Sequence, residues 1–555
     1  MKKLLLFVAA AAMMTACSTE ELANSGTKQD PNGDPINFSV YTPRSTTRAG
    51  VPESITDASL KTGTHKDYGF GIFGYFTAGT TYDQNATPNF MYNQQVKWDA
   101  TASPAAWKYE PVKYWPNEYG NAAQSDDIDR VSFFAYAPWT EVTPSSGLPI
   151  YKPLSTDDEY DDFAKSLGLT GVTTLATYMA EYGYNTTNYG NEDAAKTAAK
   201  AALDAIHADQ IQNKNIIELS KNNATGDPII KYVVDTDPKT SVDLLYGVAA
   251  KTSAATYGNA IGGNTVTIEE GKPFIDLVKP NFGTGTDAGK EKLNFWLQHA
   301  LAQVKVTIDY AADVDLTNGT APTGSEVIDA NYTRIFVRSV TFGGFAMKGA
   351  LNLNSTKTMT IGTAPNTYTV GVPLWKSLDG TSDLTFDNII FHDGRKDGRE
   401  GATNGLQTSE TPIGLNPEII ENEGDVVAAT STAKTKWGTT KTSGVTNVTK
   451  NLFGGTGDYF YVIPRNNGEG VSLTLAYDVE TIDDNLAGKL SDNATHGISI
   501  ENVITQENIF GAGVDFKPGY SYTIAIHIGM TSVKVDATVV PWQNVTGINP
   551  AMPEN

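Results

Sequence analysis

The sequence predicts a mainly β protein of two β-sandwich domains in tandem, with a helical insertion in the first. Three observations lead there. The chain has 555 residues, more than one hydrophobic core organises. It carries 51 Gly and 26 Tyr, and short Thr/Val/Tyr-rich runs lie between turn residues, which favours many short strands. The segment 36–42 alternates without a break, with Ile36, Phe38 and Val40 on one face and Asn37, Ser39 and Tyr41 on the other. That is the period of a half-buried strand.

Residues 1–17 have the form of a targeting segment. Lys2 and Lys3 precede an apolar run, Leu4 to Met14, too short to span a bilayer. The run closes on Met14-Thr15-Ala16-Cys17, which resembles a lipobox cut before Cys17 and lipidated on its thiol. Cys17 is the only cysteine, so no intrachain disulfide is available and stability must come from packing. Residues 18–35 offer almost nothing to bury and read as a flexible tether. After the strand at 36–42, Pro43 ends the pattern, and Arg44 and Arg48 stand among Ser and Thr in an expected exposed loop.

The whole chain has 41 basic and 63 acidic side chains, a net charge of −22. A body beginning at Ala49 keeps 36 basic against 59 acidic, a net of −23. Such a surface repels nucleic acid and anionic lipid, so neither is an expected partner, and membrane contact is expected only through the lipid.

The N-terminal domain is expected over 36–290. Its strand patterns are DYGFGIFGYF (67–76), NFMYNQQVKWD (89–99), AWKYEPVKYWPNE (106–118) and DRVSFFAYAPW (129–139). Gly69, Gly71 and Gly74 spell a literal GxGxxG, but they lie inside a strand and no helix follows to face a phosphate. Close backbone approach within a sheet explains them better. Residues 155–225 change composition and read as the helical insertion. An acidic cluster (Asp157, Asp158, Glu159, Asp161, Asp162) lacks EF-hand spacing and reads as a solvated loop. From Asn191 as N-cap, with Glu192 and Asp193 in the first turn, Ala195, Ala198, Ala202 and Ile206 mark a helical face.

The Gly/Thr-rich stretch 281–290 suggests a boundary, giving a C-terminal domain over 291–555. GTGTDAGKEK (283–292) misses the phosphate-loop pattern, with Thr284 at the first Gly position and Glu291 in place of Ser/Thr. Strand patterns follow at 333–344, 349–354, 367–373, 384–391, 458–464 and 472–480, and a polar excursion at 394–450. The last hairpin, 521–542, alternates strongly.

Catalytic signals are weak. The six histidines are scattered without HExxH-type pairing, and there is no GxSxG elbow. His299, flanked by Leu297, Ala300 and Leu301, reads as a core or sheet-edge residue. Asp126-Asp127 and Asp483-Asp484 sit in polar turns, and only their separation in space would make them a glycosidase pair. No enzyme, cofactor or metal is expected.

The order of the motifs 89–99, 106–116 and SFFAYAP (132–138) resembles the N-terminal domain of the fimbrillin-like (Mfa-like) family, the type V pilins of Gram-negative anaerobes. GDPIIKYVVDTDP (226–238), VDLLYG (242–247), LNFWLQHALAQVKVTI (293–308), FYVIP (460–464), VSLTLAYDVET (471–481) and the segment 516–542 extend the likeness over most of 36–542. The resemblance implies two transthyretin-like sandwiches and export as an outer-membrane lipoprotein anchored at Cys17. It also implies removal of the first strand by an arginine-specific protease, and assembly with other pilin subunits by donor-strand exchange. Carried onto this chain, the displaced strand is Ile36, Phe38 and Val40 with their neighbours to Thr42, and the cut falls at Arg48-Ala49, with Arg44-Ser45 as alternative. The chain would then be a tip, accessory or stalk subunit, or an anchor that keeps its lipid, of a cell-surface fimbria serving adhesion to a host or bacterial surface ligand, the insertion tilting towards tip or accessory. A stalk subunit needs a donor strand, for which 521–542 is the one candidate. The competing reading is a monomeric surface lipoprotein that binds glycans.

Overall fold

The computed structural model describes residues 35–42, 55–63, 68–116, 129–150, 154–167, 169–211, 215–234, 242–249, 256–259, 265–267, 271–277, 292–310, 314–315, 326–327, 333–361, 368–392, 449–451, 459–465, 470–482, 497–510, 515–528 and 533–541. Cys17, Arg44, Ser45, Arg48, Ala49, the two acidic turn pairs and the 394–448 excursion lie outside them.

The fold is mainly β, as the sequence predicts. In its first half the strands are β1 (Phe38–Tyr41), β2 (Phe70–Ala78), β3 (Met91–Asp99), β4 (Ala106–Lys108), β5 (Arg130–Ala137), β6 (Ile216–Leu219), β7 (Ile229–Val233), β8 (Leu245–Ala249), β9 (Thr256–Asn259), β10 (Thr265–Thr267), β11 (Phe274–Leu277) and β12 (Leu293–His299). The second half holds β13 (Ala302–Tyr310), β14 (Val314–Asp315), β15 (Glu326–Val327), β16 (Thr333–Phe345), β17 (Lys348–Ile361), β18 (Tyr368–Lys376), β19 (Asp387–His392), β20 (Lys450–Asn451), β21 (Phe460–Val462), β22 (Ser472–Ile482), β23 (Gly497–Gln506), β24 (Tyr520–Ile528) and β25 (Val533–Pro541). The helices are α1 (Asp57–Lys61), α2 (Asp157–Ser166), α3 (Leu175–Glu181), α4 (Thr186–Tyr189) and α5 (Glu192–Ile211).

An eight-stranded sheet runs β1-β12-β8-β5-β2-β3-β4, with β11 beside β5. Its strands are apolar on both faces because both are covered. Phe73, Tyr75, Phe134 and Tyr136 join one core with Ile230, Tyr232 and Leu351 of a second sheet, β18-β17-β7-β6. Phe70, Ile72, Val131, Phe133 and Phe295 form a separate core on the other face. The glycines of the GxGxxG fit this packing. Gly69 has φ of +60°, and a Cβ there would lie 2.0 Å from the Val96 carbonyl oxygen, while one on Gly71 would strike the Tyr136 ring.

The second half stacks β20-β13-β24-β25, with β21 beside β13, against β19-β16-β22-β23. Val304, Val306, Phe342, Leu475, Tyr522 and Ile524 fill the space between. The hairpin expected at 521–542 is β24–β25, and it is seated in its own sheet, β24 running parallel to β13.

The sheets do not divide at 290/291. β12, which that boundary assigns to the C-terminal domain, pairs with β1 and β8 of the first sheet. The change of sheet falls at Ala300-Leu301, inside the motif LNFWLQHALAQVKVTI, with no Gly or Pro to mark it. Nor is the second sheet the property of one half, since β17 pairs with β7 from Lys348↔Val233 to Asn352↔Ile229.

Within 155–225 the helices α2 to α5 lie between Asp157 and Ile211, and β6 at 216–219 belongs to the sheet with β7. The acidic cluster is a helix start, not a loop. Thr156 and Glu159 form a capping box, Asp157 bonds Lys196 and Lys200 at 2.6 Å each, and Asp161 accepts from the Leu175 amide at 2.7 Å. Asn191 caps α5, accepting from the Ala194 amide at 2.8 Å. Of the face expected at Ala195, Ala198, Ala202 and Ile206, Ala195 is buried, Ala198 and Ala202 are only partly buried, and the Ile206 side chain lies outside the described ones; Ala199 and Leu203 are buried instead, because α5 turns that line onto Tyr160, Phe163, Leu175 and Tyr178.

Those residues form a core separate from the two sheet cores. Replacing Leu203, fully buried at its centre, with Ala should cost about 2–5 kcal/mol locally. The helical far-UV signal of Leu203→Ala should therefore melt ahead of the β signal, which circular dichroism measures. Acid acts on the same lobe. Bonds from the Lys196 and Lys200 side chains hold Asp157 at about 2, below its ordinary 3.8, and the Ser155 hydroxyl and Thr156 amide hold Glu159 at about 2, below 4.5. Both carboxyls are depressed in the fold, so their contribution is complete above pH 4.5 and is lost as the pH falls towards 2. The helical signal should weaken in that window.

Candidate functional site: the groove filled by the first strand

β1 occupies one end of the first sheet, and the chain after β4 comes round to meet it. On one side β1 runs parallel to β12 in the register Phe38↔Leu293 to Tyr41↔Trp296, and the Leu293 amide donates to Asn37 O at 2.8 Å. On the other side the Ile36 amide donates to Lys113 O at 2.9 Å, and Pro35 bridges Tyr114 antiparallel. The Tyr109 hydroxyl donates to Ile36 O at 2.7 Å. The strand therefore closes a gap between the two ends of a curled sheet.

Alternation decides which side chains fill that gap. Ile36, Phe38 and Val40 are 0%, 2% and 3% exposed, while Asn37 and Ser39 are partly exposed. The Phe38 ring meets Tyr109 at 5.4 Å, Phe133 at 5.6 Å and Phe295 at 6.2 Å. Each of the three apolar side chains is worth about 1.5–3 kcal/mol of burial. Burial raises the Tyr109 phenol above its ordinary value and lowers the Lys113 ammonium, the signature of a dry rim. At the strand's exit Thr42 is buried and its hydroxyl has no hydrogen-bond partner among the described residues, so within them this end is held less well.

Downstream, α1 grips the same sheet. Thr56 caps it, Leu60 and Ile55 are buried in the core that holds Phe38, and Lys61 Nζ lies 4.4 Å from the Trp98 ring centroid. The segment with Arg44 and Arg48 thus connects two anchored pieces, β1 and α1.

Sequence reasoning picks out the strand but not its second edge. Residues 106–118 read as a strand pattern of their own, although Pro111 and Pro116 are the signal that this run pairs incompletely and borders something else. His299 is a core residue, its Nδ1 2.6 Å from the fully buried Asp243 carboxylate. His527 bonds Asp309 on the neighbouring strand. Among the described residues no group of three His, Cys, Asp or Glu is arranged to hold a metal ion, and no helix is long and apolar enough to cross a membrane.

Fold and groove together define a class: a mainly β protein whose first strand is inserted, remote in sequence from both of its neighbours. The comparisons add a family likeness. Over 149 residues the chain is 32% identical to the fimbrium subunit Fim1C of Phocaeicola vulgatus, a stretch covering 26% of this chain. The match spans about a third of that relative's own length, 32%. No family model matches the chain. Among solved structures, a fimbrial protein from Bacteroides vulgatus aligns with 17% identity and a TM-score of 0.42, over 92% of this chain and 100% of that one. The tip fimbrial protein Mfa3 of Porphyromonas gingivalis aligns with 8% identity and a TM-score of 0.20, over 86% and 96%. The likeness to a fimbrium subunit agrees with the resemblance to fimbrillin-like pilins drawn from the sequence motifs.

Phe38→Ala should destabilise the first sheet by about 3–5 kcal/mol, since it empties a pocket walled by three aromatic rings. Urea denaturation followed by tryptophan fluorescence measures it. A loss under about 1 kcal/mol, about a third of the expected minimum, would show that β1 is not core.

Proposed function

We propose that the chain is a structural subunit of a cell-surface fimbria, exported as a lipoprotein through Cys17 and completed by a strand from a sister subunit. An arginine-specific protease cuts at Arg48-Ala49, or at Arg44-Ser45, and frees the segment that carries β1. The groove then presents an apolar floor and unpaired backbone on both sides, and an alternating strand from another subunit fills it.

The single observation that carries this reading is the mode of insertion of β1. Three fully buried side chains and two hydrogen-bonded edges make it part of the core, yet it is joined to the body only through the arginine-bearing segment. A strand held by hairpins on both sides could not be exchanged without unravelling its neighbours. This one can. The fimbrium-subunit likeness supports the same role. The helical lobe favours a tip or accessory position, and the seating of β24–β25 in its own sheet gives no free donor among the described residues.

Replacing Arg44 and Arg48 together with Ala tests the scheme. The double variant should accumulate as a monomer that keeps its lipid, with a blocked N-terminus at Cys17, whereas the wild type extracted from the surface should begin at Ala49 or Ser45. A ladder of processed multimers from the double variant on non-boiled gels would refute it.

A further inference from the structure

The helical lobe carries a feature that strand exchange does not use. Four tyrosines on α3, α4 and the turn between them form a continuous stack. Tyr178 meets Tyr182 at 4.7 Å and Tyr184 at 5.9 Å, and Tyr184 meets Tyr189 at 5.4 Å. Tyr178 is rooted in the lobe core at 4% exposure, while Tyr182 and Tyr189, at the two ends, are 51% and 41% exposed. Two of the pairs are within 20° and 22° of parallel. Near-parallel rings at these centroid distances overlap only in part, so Tyr182, Tyr184 and Tyr189 keep ring surface open while the buried Tyr178 supports them from the lobe core.

The platform is fixed in advance of any ligand. Gly183, at φ of +73°, turns the chain back after α3, and the Tyr184 amide donates to Met179 O at 2.9 Å. Asn188 Nδ2 donates to Gly183 O at 2.7 Å, and Asn185 caps α4 by accepting from the Asn188 amide at 3.1 Å. Exposed tyrosines on a fixed backbone give large contact area at low conformational cost. Other exposed apolar side chains of the described residues, such as Leu148 and Phe386, are not part of such a stack.

We propose that the Tyr182–Tyr178–Tyr184–Tyr189 stack is a binding platform for a neutral oligosaccharide. A sugar ring has an apolar face that lies on an aromatic one and a rim of hydroxyls that needs hydrogen-bonding neighbours. Here Asn185, Thr186, Thr187 and Asn188 stand exposed beside the rings. Charge selects against the other stacking polymers. Glu181, Glu192 and Asp193 are exposed around the platform, and they repel nucleic acids and acidic glycans. A proline-rich peptide would use ring faces too, but has little use for the amide and hydroxyl rim. The site goes beyond the fimbrial reading and stands whether or not β1 leaves.

The test uses the unprocessed full-length chain on an array of linear neutral oligosaccharides of glucose, mannose, galactose and N-acetylglucosamine, with hyaluronan and polyproline as competing probes. The wild type should retain at least one neutral oligosaccharide in preference to both competitors. Tyr182→Ala with Tyr189→Ala should weaken that binding at least about tenfold, and Tyr182→Phe with Tyr189→Phe should keep it within a few-fold. Both positions are exposed, and an unchanged far-UV spectrum confirms the lobe is intact in each variant. No neutral oligosaccharide retained, retention unaffected by the alanine pair, or a preference for polyproline or hyaluronan would each overturn the proposal. Because the precursor is the protein tested, none of these outcomes bears on strand exchange.

Discussion

The closure of the first sheet by β1 is the constraint on which the rest depends. The eight-stranded sheet curls until its two ends face one another across a gap one strand wide, between β12 and the chain after β4. An empty gap would expose Phe133, Phe295 and Tyr109 to water and leave two rows of backbone groups unpaired. Some strand has to lie there. The sheet specifies its pattern, apolar at every second position, but nothing in the groove requires that it come from the same chain.

The anchoring on either side of the arginine-bearing segment is unequal in kind. β1 is held by its ladder, by three apolar side chains and by the Tyr109 hydroxyl on Ile36 O, whereas α1 is locked by a capping box, by Leu60 and Ile55, and by the Lys61 contact on Trp98. The body beyond that segment therefore keeps its own clamp when β1 is considered apart from it. The first strand belongs to the core by packing and to the periphery by connectivity.

Much of this was legible in the sequence, because period-two alternation and helix capping are local. Ile36, Phe38 and Val40 declare their face directly, and Asn191 followed by Glu192 and Asp193 declares the start of α5. What was not legible is non-local. Nothing in LNFWLQHALAQVKVTI marks where one strand hands over to the next, since His299 and Gln303 are polar residues buried by partners such as Asp243 and Ser521 far along the chain. The α5 stripe missed by one turn position for the same reason: with alanine on several faces, only the aromatic rings of α2 and α3 decide which face is inside. The acidic cluster looked like a loop because carboxylates at a helix N-terminus and carboxylates in solvent share a composition.

The second sheet has a mechanical meaning. Because β17 is zipped antiparallel to β7 from Lys348↔Val233 to Asn352↔Ile229, and Trp375 of β18 donates to Ala300 O at 3.0 Å, the halves are laced together rather than strung on a linker. Tension applied between the ends of the molecule has to be borne by that lacing and by the common core beneath it. Parting the halves therefore means unzipping that ladder and opening the common core beneath it.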